Sequence, residues 1–196
     1  MINKNIKMEN SGENSGVMVQ ENHGTIHIDS KKAPKIPSLI SDVIKLLGNV
    51  CMEEDLDETI NIQEFKVDDK IEYNCVIAYR ELITEFSMYY WKCDRFLNAY
   101  DNSHIRGKAK ILQCIRIGYL NAKGKVLLEN KESEKKVEDI IRDNSDRIID
   151  MVKDYILEKI KESGEMEITY QEDIELGIIS FICYCFMKCK ILEKPL

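Results

Sequence analysis

The sequence predicts a mainly α protein, a helical bundle of about five helices preceded by a short Asn/Gly-rich β-repeat segment. Three observations predict it. Beyond Pro37, apolar residues recur at steps of three and four through most of the chain. Near the amino terminus, Asn14-Ser15-Gly16-Val17-Met18-Val19 is echoed eight residues later by Asn22-His23-Gly24-Thr25-Ile26-His27. Pro34 and Pro37 separate the two patterns, which divides the chain into a repeat segment and linker over 1–35 and a helical domain over 36–196.

Each repeat unit reads as an Asn-x-Gly turn, whose glycine tolerates positive φ, followed by a few residues of strand-like alternation. Val17, Val19, Ile26 and Ile28 occupy the apolar positions, and Asn14, Gly16, Asn22, His23 and Gly24 the turns. Two or three such strands cannot bury a face by themselves, because isolated hairpins are marginal in water and repeat stacks need neighbours. The missing neighbours are expected to be other copies of the chain, so the segment predicts a homo-oligomer. Its polar composition also suits a disordered tail, against which the recurring apolar spacing is the evidence.

In the helical domain, Ser38 is placed to cap a first helix carrying Leu39, Ile40, Val43, Ile44, Leu46, Leu47 and Val50, with Gly48 weakening its end. An acidic loop, Glu53 to Glu58, leads through a possible extended stretch at Ile60, Ile62 and Phe65. The second helix is expected to start near Asp68 or Asp69 and to run unbroken along a stripe of Tyr79, Leu82, Phe86, Tyr90, Cys93, Leu97 and Tyr100. A turn at Asp101-Asn102-Ser103 restarts the pattern with Ile105, Ala109, Leu112, Arg116, Tyr119, Ala122 and Val126, where Ile115 can replace Arg116 in the core. A fourth helix is expected from about Ser133 to Ser163 with Asn144 at a core-type position, and a last one from about Glu172 to Leu192.

The net charge of -7 argues against a nucleic-acid surface. Arg106, Lys108, Lys110, Arg116, Lys123 and Lys125 scatter around their helix and form no stripe. Seven cysteines without an export signal predict free thiols in the cytoplasm, and the longest uncharged run, Leu176 to Met187, is too short to span a bilayer. It reads as a buried helix.

Chemistry-bearing patterns are few. Cys183, Cys185 and Cys189 cannot converge on a metal while they share a helix, so no metal or cofactor is expected. Asp55 to Thr59 resembles the opening of a calcium loop, but Ile60 and Lys66 stand where glycine and a bidentate glutamate belong. His104 is the one histidine of the helical domain, and a helix-start role accounts for it. Neither GxGxxG nor GxxxxGK[ST] occurs. These readings predict a non-enzymatic protein. Trp91 flanks the aromatic stripe and is the expected partner contact of the helical domain. A second reading is a small-ligand or nucleotide-binding protein, phage-encoded, using Asn22, His23 and nearby amides for an anion.

NSGENSGVMVQENHGTIHI, FKVDDKIEYNCV (Phe65 to Val76), IIRDNSDRIID (Ile140 to Asp150) and EDIELGIISFICYCFMKCKILEKP (Glu172 to Pro195) together resemble proteins of bacterial ABC-three-component systems. The resemblance is to the helical, non-enzymatic module of the effector component, where Gly/Asn β repeats also occur. It implies coupling to a middle component and an SMC- or RecN-like ABC ATPase within defence against phages. No nuclease or peptidase stretch precedes the repeat here, so the resemblance implies an adaptor or sensor.

Overall fold

A computed structural model describes residues 37–50, 67–163 and 170–195, all within one compact unit, Lys35–Leu196. The amino-terminal repeat, the acidic loop and the calcium-like segment lie outside the described residues. Among those described there are eight α-helices, one short 3-10 turn and no strand. The helices are α1 (Leu39–Val50), α2 (Val67–Tyr73), α3 (Arg80–Phe86), α4 (Tyr90–Ser103), α5 (Gly107–Glu129), α6 (Val137–Asp143), α7 (Ser145–Ser163) and α8 (Gln171–Met187), and the 3-10 turn covers Ser87–Tyr89.

Helix α8 is the axis of the body. It packs against α1, α3, α4 and α7, and every residue from Ser180 to Met187 is buried. Burying side chains such as Phe181, Ile182 and Phe186 stabilises by roughly 2 kcal/mol each, which is why this uncharged run lies at the centre. Helices α1 and α8 meet backbone to backbone. A Cβ on Gly48 would lie 2.1 Å from the Asp173 carbonyl oxygen, and one on Gly177 would lie 2.1 Å from that of Ile44. Gly48 therefore permits a close crossing, where the sequence suggested only a weak helix end.

The expected second helix is broken into three. Helix α2 ends where the Cys75 amide donates to the Glu72 carbonyl and that of Val76 to Ile71, with Cys75 at φ 54°. That pair of bonds is a Schellman motif with cysteine at the left-handed position that glycine usually fills. The turn that follows resets the register. Ile83 is fully buried while Leu82 of the expected stripe is 37% exposed, and the anticipated positions Cys93, Leu97 and Tyr100 are buried in α4.

The third predicted stripe is likewise right only in its second half. The chain turns through His104 to Arg106, the last at φ 58°, so Ile105 is 85% exposed and the core face becomes Ile111, Ile115, Tyr119, Ala122 and Val126. The expected fourth helix starts later and divides at Asn144. Its side chain donates to the Ile140 carbonyl at 2.8 Å while its own carbonyl accepts from Ile148, so this residue is the joint between α6 and α7. Val137, the first residue of α6, is 53% exposed.

The last helix stops at Met187, five residues before the expected end. The Cys189 amide donates to Phe186 and that of Lys190 to Cys185, with Cys189 at φ 52°, a second Schellman motif closed by cysteine. The chain beyond it is not helical, although Ile191 and Leu192 are fully buried.

Candidate interaction site

Trp91, in the first turn of α4, is 45% exposed, with its ring edge-on to Tyr90 at 6.1 Å. Behind it Tyr90 lies 5.3 Å from Tyr184, and the Lys188 ammonium sits 5.1 Å from the Tyr90 ring. The inner aromatics tie α4 to α8 and leave the indole facing outward. Met88, on the preceding turn, is 42% exposed. Exposed tryptophan on a packed base is the kind of anchor that partner proteins bury. The other residues proposed from sequence as contacts, Asn14, Gly16, Val17, Val19, Asn22, His23, Gly24, Ile26 and Ile28, lie outside the described residues.

Beside the aromatic base is a polar cluster centred on Asp94. Its Oδ1 accepts from the Tyr184 hydroxyl at 2.7 Å and from Lys108 at 3.0 Å, with Lys188 at 3.4 Å. Burial alone would raise the Asp94 pKa, but the bonds from Tyr184 and Lys108 outweigh it and hold the carboxyl below its ordinary value. The Tyr184 phenol is raised by burial and by this same carboxylate. The cluster fastens α4, α5 and α8 together around one ionised carboxylate paired with two lysines.

A second cluster holds the segment after α8, and sequence reasoning missed it. Lys70 of α2 is 1% exposed. Its ammonium donates to the Phe186 carbonyl and, at 3.0 Å, to that of Ile191, and it lies 4.3 Å from the Phe186 ring centre. Carbonyls at the end of α8 carry the negative end of the helix dipole, so a cation there is favoured. Burial still lowers the Lys70 pKa to about 8. One turn on, the Asn74 amide donates to the Glu193 carbonyl and accepts from the Glu193 amide at 3.0 Å. The Glu193 carboxylate accepts from Tyr119 and Lys123, each at 2.6 Å. The only sequence signal was a lysine at a position that the buried face of α2 requires.

A third cluster fixes the turn after α2. Asp146 of α7 accepts the amides of Ile77 at 3.0 Å and Tyr79 at 3.2 Å, just ahead of α3, and Ser145 donates to the Cys75 carbonyl. The Tyr79 hydroxyl donates to Asp150 at 2.5 Å, and burial together with that carboxylate raises its pKa.

Cys183 and Cys185 are buried in α8 while Cys189 lies past its end, and no group of three metal-ligating side chains occurs among the described residues. Burial drives the Cys185 thiol well above its ordinary pKa. His104 stacks on Tyr100 at 4.1 Å at the carboxyl end of α4, where a helix-start role was expected. No described helix is long and apolar enough to cross a membrane. The chain matches no protein family, no curated protein and no solved structure.

Proposed function

We propose that this protein is a non-catalytic, cytoplasmic adaptor or sensor that assembles through its amino-terminal strands and docks a partner through its helical body. The observation that carries the reading is the repeated Asn-x-Gly unit over residues 14–28, in which the apolar positions expected from the sequence are too few to make a stable sheet alone. Half-exposed Trp91 on its aromatic base supports a docking role for the body. The resemblance to ABC-three-component proteins supplies the partner class, a middle component and an ABC ATPase of an anti-phage system.

Light scattering on the full chain and on a Val17→Asp, Ile26→Asp variant tests the assembly. A multimer that falls to a smaller species in the variant is expected; equal masses for both would overturn it. Capture of an SMC- or RecN-like ABC ATPase, lost on Trp91→Ala, tests the docking half. Unchanged capture by the variant would remove Trp91 from the reading.

A further inference from the structure

Helix α5 is apolar on two opposite faces, and only one of them is buried among the described residues. Its inner face, Ile111, Ile115, Gly118, Tyr119, Ala122 and Val126, is buried in the body. At 100° per residue, Ile117, Leu120, Gly124 and Leu128 gather on the opposite side, where the leucines and isoleucine are 47%, 69% and 46% exposed for Leu120, Leu128 and Ile117. Gln113 and Asn121 lie on the same side, which carries no charge between Gln113 and Leu128; Lys110 stands on it nearer the amino end.

Its two central glycines stand in contrasting surroundings. A Cβ on Gly118 would lie 2.7 Å from the Tyr155 ring, so the packing of α7 requires glycine there. At Gly124 a Cβ would meet nothing within 4 Å. Glycine inside a helix is less stable than alanine by about 1 kcal/mol, and nothing in the described part of the chain offsets that at Gly124. A second backbone approaching closely would use it.

We infer that the outer face of α5 is a docking surface for α5 of a second copy of this chain, the two helices crossing antiparallel about a twofold axis at Gly124. The seam is self-complementary about that residue. Leu120 and Leu128 lie four positions before and after it, so a twofold axis there sets each leucine against the other leucine of the second copy and glycine against glycine. An unrelated partner would not need that symmetry. The inference extends the proposed self-association to a second surface, yet it is separable from the strands by experiment.

The test uses full-length chains with Gly124→Cys, oxidised gently and mapped by peptide mass spectrometry. A disulfide joining position 124 of two copies is expected. Light scattering should show lower mass for Leu120→Glu and for Leu128→Lys, and recovery when both are combined, because antiparallel pairing sets the new acid against the new base. Circular dichroism checks that these exposed substitutions leave the helices intact. No link through position 124, with unchanged masses for the single substitutions, would overturn the inference, and if the mass then still fell in Val17→Asp, Ile26→Asp the strand-mediated assembly would survive alone. A position-124 link that persists in that strand variant supports the inference independently.

Discussion

Helices α2 and α8 end by the same backbone device, cysteine in the left-handed conformation closing a Schellman motif, but the chain beyond each is held by opposite charges. After α2 the chain offers amides, and the Asp146 carboxylate takes those of Ile77 and Tyr79 at a partly exposed site. After α8 the chain offers carbonyls, and the buried Lys70 ammonium takes those of Phe186 and Ile191. The sign of the side chain follows from which backbone groups are left over. Its energetic weight follows from how much water reaches it.

The comparison is most strongly tested at Lys70. Lys70→Ala removes the donor to the buried Ile191 carbonyl, leaves Phe186 with the Cys189 amide alone, and empties the space of the stem, so a loss of about 3 kcal/mol is expected in chemical denaturation. A loss below the one at Asp146 would reverse the ranking of the two ends.

Lys70 also makes the α8 end sensitive to pH. Its folded pKa of about 8 lies below the ordinary lysine value of 10.5, so the unfolded chain binds the extra proton between them. The Lys70 contribution therefore raises stability as pH increases through that window, by roughly 1–3 kcal/mol in total. Cys185, whose thiol stays protonated in the fold above its ordinary pKa, contributes with the opposite sign. Subtracting the pH profile of Lys70→Met from that of the wild-type chain cancels Cys185 and should leave a rising difference from about pH 8 to 10. A flat difference would show that Lys70 is not desolvated.

Asp146→Ala removes the acceptor from the amides ahead of α3, with an expected loss of about 1 kcal/mol in the same assay, comparable to losing a helix cap. The smallest effect concerns the cysteines themselves. Cys75→Gly relieves a left-handed side chain at an exposed site and should stabilise by about 0.5–1 kcal/mol, since the strain removed exceeds the flexibility added to the unfolded chain. Cys189→Gly should gain less, because the half-buried thiol also packs beside Lys70. Equal gains would mean that the surroundings of the two turns do not matter.

These ends also mark where the sequence stopped being legible. Periodicity located α1, the second half of α4, α7 and α8, because each buries one face or all of it over several turns. It did not locate the breaks after Tyr73 and Met187, since both use cysteine where glycine would have signalled a stop. Once the α2 end was missed, the stripe ran on in the wrong register and Leu82 was chosen over Ile83. Lys70 was invisible for a related reason: a charged residue reads as solvent-facing until its acceptors, more than a hundred residues away, are known. The Gly48 and Gly177 crossing escaped because a glycine announces missing atoms without saying what occupies the space. The half-exposed placement of Trp91 was legible from its position beside the aromatic stripe.

Because α8, the axis of the body, follows α1 by more than a hundred residues, α1 must wait that long during synthesis before its crossing partner exists. During translation the apolar side of α1 is therefore left uncovered, and late contacts of such long sequence separation are slow to form. Ribosomes stalled ahead of Gln171 should hold a protease-sensitive intermediate.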